Sequence, residues 1–168
     1  MDELLPLLDE AIASVEADSG TIHLLGPDGL LHLRAARNIP AEVEDKVRLV
    51  PVGKGMAGLT VERNAPVDAC NIQTDTSGDV RPGAKATGME GAIVVPIRRG
   101  GSPIGALGVA NRRERTFTAD EQEKLLRVGA KVVHVLVAAE AAAAQNPGGA
   151  GGAPAPAAPT APTAPKGG

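Results

Sequence analysis

The sequence predicts an α+β fold, with helices at the two ends of the folded part and antiparallel strands between them. Three observations predict this class. Apolar residues recur at helical spacing near the amino terminus and again after residue 118. Between these segments, apolar runs flank short turns rich in Gly, Pro and Asp, which is typical of β-hairpins. The hairpins leave no room for the crossover helices that a parallel sheet requires.

Composition narrows the class of protein and its partners. The chain has 168 residues, of which 43% are hydrophobic and 22% charged, as in a soluble globular domain with an appendage. The net charge is −3 and no basic cluster is longer than Arg112-Arg113, so we expect no nucleic-acid partner. Because Phe117 is the only aromatic residue, the core must be aliphatic and no aromatic platform is available for stacking bases.

The cysteine count, the amino terminus and the histidine spacing indicate the cellular compartment and whether a cofactor or metal is expected. Cys70 is the only cysteine, so no disulfide forms within the chain. The acidic start differs from a signal peptide, and the uncharged run from Val132 to Ala139 is too short to span a bilayer. His23, His32 and His134 lack metal-ligand spacing, and we interpret each as a surface or strand-edge histidine. We therefore expect a cytoplasmic protein with no membrane contact, cofactor or metal.

The first third of the chain predicts a helix followed by a hairpin. In the helix segment, Leu5, Leu8, Ile12 and Val15 follow helical spacing. The next segment, SGTIHLLGPDGLLHLRAAR, alternates apolar and polar residues around a Gly-Pro-Asp-Gly turn and predicts two antiparallel strands. After Pro40, the segment AEVEDKVRLV predicts a short helical turn or an irregular crossing.

The middle of the chain predicts short elements and a second hairpin. We expect a short helix from Met56 to Asn64 and a strand from Pro66 to Ile72. Residues 74–85 are rich in Asp, Ser, Gly, Thr and Pro, which predicts a long surface loop. The segment GAIVVPIRRGGSPIGALGVANRR contains two aliphatic runs around Gly-Gly, which predicts two strands covered on both faces.

The last predicted helix begins at Thr118. Thr118 and Glu121 fit a capping box, in which the hydroxyl and the carboxylate each accept a bond from a backbone N–H at the helix start. After this helix the composition changes to Ala, Pro and Gly, with too few large apolar groups to offset the entropy of ordering. We therefore expect a folded domain over residues 1–144 and a disordered tail over residues 145–168.

The stretch GKGMAG places Gly53, Gly55 and Gly58 in the spacing G-x-G-x-x-G that opens dinucleotide-binding folds. Such a fold needs a buried parallel strand before the glycines and a crossover helix after them. Here the preceding segment is charged and contains Pro51, and the following helix has room for about nine residues before Pro66, which is too short for a crossover. We expect the glycines to support a sharp turn into a short helix, with Gly58 permitting close packing.

Four segments, in their order along the chain, resemble a GAF domain over about residues 4–139. The segments are ADSGTIHLLGPDG, VGKGMAGLTVERNAPV, GAIVVPIRRGGSPIGALGVANRR and FTADEQEKLL. The resemblance implies an antiparallel sheet of five or six strands, with the terminal helices on one face and short helices plus ligand-pocket loops on the other. GAF domains act as sensory and dimerisation modules, and a few are enzymes. The resemblance therefore narrows the class of function without naming a ligand.

The sequence departs from the specialised variants of that family. Cyclic-nucleotide-binding members carry Phe, three residues and Asp-Glu after an Asn-Arg or Asn-Lys pair, whereas the segment after Asn111-Arg112 is FTADE, one residue too short. Bilin-binding members place a cysteine beside a histidine, whereas Cys70 precedes Asn71. Free methionine sulfoxide reductases of this fold need a nucleophilic and a resolving cysteine. We interpret Cys70 as a structural strand cysteine.

The resemblance also implies a ligand cavity beside the predicted strand after the short helix and the loop that follows it. The short helix around Met56 would complete its wall. Arg81 and Lys85 could hold an anionic ligand, or they could be solvated charges beside acidic loop residues. The predicted ligand-binding residues are Asp68, Cys70, Asn71, Arg81, Lys85, Thr87 and Glu90.

Both terminal helices carry a second apolar stripe that one sheet cannot cover, which predicts a homodimer through these helices. The predicted interface residues are Leu4, Leu7, Leu126, Val133 and Val137. We expect a non-catalytic signalling module that senses a small molecule or dimerises, and that acts on a partner such as a sensor kinase or transcription regulator. Two alternatives stay open. One is a ligand-free interaction scaffold, and the other is an enzyme such as a free methionine sulfoxide reductase or a hydrolase using loop carboxylates.

Overall fold

The computed structural model describes residues 3–73 and 88–145. Within these ranges the chain forms four helices and six strands. The helices are α1 (Leu4–Ser14), α2 (Ala41–Lys46), α3 (Gly55–Arg63) and α4 (Ala119–Gln145). The strands are β1 (Ser19–Leu25), β2 (Leu30–Arg37), β3 (Leu49–Pro51), β4 (Val67–Ala69), β5 (Gly91–Arg99) and β6 (Ser102–Asn111).

The strands form one antiparallel sheet in the order β3-β2-β1-β6-β5-β4. This confirms the predicted α+β fold and its sheet of five or six strands. The two predicted hairpins are β1-β2 and β5-β6, and they join where β1 pairs with β6, with Thr21 opposite Gly108. The predicted irregular crossing contains β3, a short edge strand in which Pro51 has no N–H to donate.

One face of the sheet is covered by α1 and α4. A Cβ at Gly20 would lie 2.9 Å from the Leu8 side chain of α1, and a Cβ at Gly129 of α4 would lie 3.6 Å from Ile97 of β5. Residues opposite one another in an antiparallel sheet share a face, so the row of Gly20, Val109 and Ile93 faces these helices. The large aliphatic core therefore lies on this side.

The other face carries small side chains at its centre. Ser19, Ala110 and Ala92 lie in one row, and Thr21 and Gly108 begin the next. The side chains alternate between faces along each strand, so these rows point away from α1 and α4. Short elements, including α3, lie on this second side, and the small residues leave open space beneath them.

The start of α4 has the predicted capping box. The N–H of Glu121 donates to Thr118 Oγ1 at 3.1 Å, and the N–H of Thr118 donates to Glu121 Oε1 at 2.9 Å. These bonds satisfy two groups that a helix start otherwise leaves without intrahelical partners. The helix begins at Ala119, immediately after the capping threonine.

The GKGMAG stretch forms the turn that was predicted for it. Gly53 and Gly55 have φ values of +90° and +65°, in the left-handed region that glycine adopts without steric cost. A Cβ at Gly58 would lie 2.3 Å from the Pro51 carbonyl oxygen, so a glycine here permits α3 to pack against β3. The three glycines therefore shape the entry to a short helix.

Replacing Gly58 with alanine tests this packing. Helix propensity alone favours alanine by about 1 kcal/mol, but the overlap with a backbone oxygen cannot be relieved by a rotamer change. We expect the overlap to win and to lower the free energy of unfolding by about 1 to 3 kcal/mol. Gly129→Ala in α4 is the matched control, because its Cβ would meet ordinary contacts at 3.6 Å and longer. Urea denaturation of both variants measures the difference, and equal effects would contradict the packing argument.

The chain divides into two compact units after Val133. The six strands and helices α1 to α3 belong to the first unit. The described part of the second unit is the end of α4, where Val137 is 41% exposed. Across residues 3–73 and 88–145, no helix combines the length and apolar character that crossing a membrane requires. The predicted tail over residues 145–168 lies outside the described residues, apart from Gln145 at the end of α4.

Candidate functional site

A cavity of about 550 Å³ lies on the sheet face opposite α1. Its floor is formed by the small side chains of β1, β6 and β5 described above. Helix α2 and the residues after it, the first turn of α3, and two buried residues beside β4 and β5 form its walls. The main apolar wall residues are Val43, Val47, Val50, Met56, Ile72 and Met89. A volume of this size is within the range of small-molecule sites in proteins.

Two polar side chains of β1 are buried in this cavity lining. Ser19 is 0% exposed and His23 is 3% exposed. Among the described residues, neither Ser19 Oγ nor His23 Nδ1 has a hydrogen-bond partner. Buried polar atoms are nearly always paired, because burial without a partner costs about 1 to 3 kcal/mol for each group. Both atoms belong to residues that line the same cavity, so each marks a position at which a separate polar ligand group could bond.

The other ring nitrogen of His23 identifies its tautomer. Nε2 lies 2.8 Å from the carbonyl oxygen of Val47, which can only accept, so Nε2 carries the proton and donates. Burial lowers the pKa of His23, against a smaller opposite effect of the bond to Val47, and the ring is therefore neutral. Nδ1 then carries a lone pair and acts as an acceptor.

This neutral histidine predicts a pH dependence of stability. Its pKa is lower in the folded chain than in the unfolded chain, so the stabilisation is fully present above about pH 6.5 and decreases as the pH falls below that value. The slope for one proton is at most about 1.4 kcal/mol per pH unit. We expect urea denaturation to show that the free energy of unfolding depends less on pH in His23→Gln than in wild type. The exposed control His134→Gln should show the same pH dependence as wild type. Identical slopes for His23→Gln and wild type would contradict the assignment.

Positive charge lies at the wall of the cavity. Lys46 and Lys54 contribute to the lining, and no Asp or Glu among the described residues does. Lys54 is also the N-cap residue of α3, whose first turn has no side-chain cap and no acidic residue. The unpaired N–H groups and the dipole of a helix start favour an anion. In the described ranges, no three His, Cys, Asp or Glu side chains come together as a metal site.

A family model described as a GAF domain matches residues 1–136. The chain belongs to the GAF domain family. This confirms the resemblance inferred from the sequence motifs. GAF domains are commonly sensory or regulatory modules.

Solved structures share the fold of this GAF domain. The GAF domain of an Acinetobacter phosphoenolpyruvate-protein phosphotransferase is 21% identical, with a TM-score of 0.69 and 83% of each chain covered. The GAF domain of the Coxiella burnetii phosphoenolpyruvate-protein phosphotransferase is 19% identical, with a TM-score of 0.70 and 85% of each chain covered.

An enzyme of the same fold is also similar. The type II free methionine-R-sulfoxide reductase from Thermoplasma acidophilum is 18% identical, with a TM-score of 0.61, 76% of this chain covered and 85% of that chain. Likenesses at these identities show the fold alone. No curated protein sequence matches the chain significantly.

The predicted ligand-binding residues of this GAF domain do not form the described cavity wall. Asp68, Cys70, Asn71 and Glu90 are absent from the lining. Asp68 lies opposite Ile93, on the row that faces the terminal helices, and Cys70 is exposed. The predicted residues Arg81, Lys85 and Thr87 lie outside the described residues. Met56, which the sequence places in the wall of a ligand cavity, does line this cavity.

Asn71 and Glu90 have local structural contacts. Asn71 Nδ2 donates to Glu114 Oε2 at 2.6 Å, and Asn71 Oδ1 accepts from the Gln73 N–H at 2.9 Å. The Glu90 carbonyl oxygen accepts from the Ile72 N–H at 2.5 Å. These bonds hold the chain beside β4 and position Ile72 near the cavity.

The polar residues of the floor are not predicted from the sequence. The interpretation of His23 as a surface or strand-edge histidine is wrong, because His23 is buried on a central strand. Ser19, Thr21 and His23 alternate along β1, and all three line the cavity. Polar residues at every second position, on a strand with apolar residues between them, are the signal that could have identified this face.

The predicted interface residues differ in exposure. Leu4 is 0% exposed within its own chain, so it leaves no surface for a partner and its assignment to an interface is corrected. The spacing of Leu4 and Leu8 on α1 turns both toward the sheet. Leu7, Leu126 and Val133 are half-buried in the first unit.

Proposed function

We propose that this GAF domain is a non-catalytic sensory module that binds a small molecule in the cavity floored by β1, β6 and β5. The observation that carries the proposal is the pair of buried, unpartnered atoms, Ser19 Oγ and His23 Nδ1, in the lining of one cavity. A ligand that bonds to them would offset the cost of their burial and would stabilise the folded state by mass action. Ligand binding is then coupled to the stability of the surrounding elements.

The elements around the cavity suggest how a bound molecule could be sensed. Val47 directly follows α2, lines the cavity and accepts the bond from His23. A ligand in the cavity would therefore contact both the centre of the sheet and the short helices above it. We propose that a partner protein in a signalling system responds to the resulting change in these short elements, since the fold is shared with a phosphotransferase domain and with a domain of a putative sensor histidine kinase from Sinorhizobium meliloti.

The alternative of a methionine sulfoxide reductase has less support from the residues. That chemistry forms a disulfide between a nucleophilic and a resolving cysteine. The chain has one cysteine, and Cys70 is exposed and absent from the cavity lining. Turnover of free methionine-R-sulfoxide with dithiothreitol, lost in Cys70→Ser, would overturn the non-catalytic proposal.

Native mass spectrometry of the protein, purified without denaturation, tests the sensory proposal. We expect a bound small molecule at one copy per chain, released when the protein is unfolded. A protein mass without any adduct, combined with no stabilisation by the extract of its host cells, would instead support the ligand-free scaffold.

We also propose that the chain forms a homodimer through apolar side chains of α1 and α4. Lys131 of α4 and Glu10 of α1 form an ion pair at 2.5 Å, which places these helices side by side. Leu7, Leu126 and Val133 offer partly exposed apolar surface on this pair, and Leu5 is 38% exposed.

Val133→Glu is expected to convert such a dimer to a monomer. The new carboxylate would be buried without a partner in the dimer, which costs several kcal/mol. Light scattering at about tens of micromolar measures the mass, a concentration that suits interfaces of moderate affinity. The exposed control Ala119→Glu should leave the mass unchanged. A wild-type monomer at this concentration would contradict the proposal.

A further inference from the structure

The shape and composition of the cavity restrict the body of its ligand. The walls are aliphatic and thioether side chains, and the chain's single aromatic ring, Phe117, does not line the cavity. Phe117 instead lies beneath the guanidinium of Arg115. Flat ring systems are usually held by stacking on aromatic side chains, which this lining does not offer. An aliphatic chain fits walls of this composition better than a purine or another planar ring.

The charges at the wall restrict the ligand further. Lys46 and Lys54 are the charged residues in the described lining, and neither pairs with a carboxylate of the described chain. The uncapped first turn of α3, from Gly55 to Ala57, borders the same space. Two ammonium groups and a helix start therefore act together on the cavity, and both favour a negative group.

The polar atoms of the floor require a different ligand group. His23 Nδ1 is an acceptor, because Nε2–H already donates to Val47. It can be satisfied only by an N–H or O–H donor. Ser19 lies four residues away on β1, too far along an extended strand to bond to the same ligand group. A cationic ammonium would serve as donor, but no carboxylate in the described lining is present to pair with its charge. A neutral hydroxyl meets the same requirement without that cost.

Taken together, these restrictions define a ligand class. We propose that the cavity binds an aliphatic hydroxycarboxylate, with its hydroxyl on His23 Nδ1, its chain against the apolar walls, and its carboxylate toward Lys54 and the start of α3. This inference rests on the proposed function, because it names the ligand of the same cavity.

Isothermal titration calorimetry with 2-hydroxyoctanoate tests the class directly. Three analogues each change one group: octanoate lacks the hydroxyl, 2-hydroxyoctanamide lacks the charge, and 2-aminooctanoate replaces the hydroxyl with an ammonium. We expect 2-hydroxyoctanoate to bind at least about tenfold more tightly than each analogue, which is the effect of one charge-assisted bond or one unsatisfied buried group.

Variants assign each group to its site. Lys46→Gln combined with Lys54→Gln should remove the preference for 2-hydroxyoctanoate over its amide, whereas His23→Leu should reduce the preference over octanoate. Lys124→Gln is the matched control, because Lys124 pairs with Asp120 on α4 and does not line the cavity. It should leave both preferences unchanged.

Other outcomes would overturn the inference. Equal binding of the acid and the amide, tighter binding of 2-aminooctanoate, or no binding of 2-hydroxyoctanoate would each contradict the class. Native mass spectrometry distinguishes this failure from failure of the proposed function. A stoichiometric adduct with no affinity for 2-hydroxyoctanoate leaves the sensory proposal standing and rejects the ligand class, whereas the absence of both rejects the two proposals together.

Discussion

Replacing Arg115 with alanine is expected to lower the free energy of unfolding by about 2 to 4 kcal/mol, as for other ion pairs that are largely buried. Its Nη1 donates to the Val15 carbonyl oxygen at 2.7 Å and to Asn111 Oδ1 at 3.0 Å, and Nη2 donates to Glu121 Oε2 at 2.5 Å. The guanidinium also lies over the Phe117 ring, 4.1 Å from its centroid. One side chain therefore joins the end of α1, the end of β6 and the start of α4.

The partner carboxylate adds a pH signature to this prediction. Burial raises the pKa of Glu121, but hydrogen bonds from the Thr118 N–H and the Arg115 guanidinium together outweigh burial, so the pKa is below its ordinary value of 4.5. Since the pKa of the folded state is the lower one, the stabilisation is present above 4.5 and is lost as the pH falls through the folded value. The difference between wild type and Arg115→Ala should therefore shrink in acid.

A matched control separates this network from surface charge. Arg127 pairs with Glu123 at 3.5 Å on α4, but their side chains are 71% and 66% exposed. Solvent screens such pairs, so Arg127→Ala should change stability by less than about 0.5 kcal/mol. Urea denaturation of the two variants is the measurement, and equal effects would contradict the role given to Arg115.

Ala110→Leu is expected to block the cavity and to reduce ligand affinity by more than about a hundredfold, because a bound molecule would have to displace a side chain held by the sheet. Ala110 lies at the centre of the floor, directly opposite Ser19 of β1 and Ala92 of β5. Its methyl group is only partly buried and adjoins open space, so the larger side chain can be accommodated without overlap.

The control for this variant is Ala119→Leu, the same exchange at the exposed first residue of α4. Native mass spectrometry should show the adduct on wild type and Ala119→Leu and not on Ala110→Leu. Circular dichroism should show that all three remain folded. An adduct retained in full by folded Ala110→Leu would mean that the molecule binds elsewhere.

Local chemistry explains which parts of the fold could be predicted from the sequence. The capping box at Thr118 and the Gly-Pro-Asp-Gly turn act between residues close in the chain, so their patterns predict α4 and the first hairpin. Strand β3 is different, because Leu49–Pro51 is a strand only through its pairing with β2. Its three residues carry no periodic signal of their own.

The residues of the candidate site could not be predicted in the same way, because they are brought together by contacts between residues that are distant in the sequence. Ser19 lies beside Ala110 and beneath open space because β1 pairs with β6, far along the chain. His23 is buried by contacts that include the Val47 carbonyl oxygen, which follows α2. The orientation of Asp68 depends on the register of β4, in which a shift of one residue would exchange its face with that of Val67. Motif matching located the cavity region but not the residues that face it.

We propose that Ser19 and His23 receive their missing hydrogen-bond partners from a bound small molecule. A crystal structure of the protein purified without denaturation tests this most directly. We expect non-protein electron density in the cavity, with polar atoms within hydrogen-bond distance of Ser19 Oγ and His23 Nδ1. A cavity without such density, in which both atoms bond to the protein itself, would contradict it.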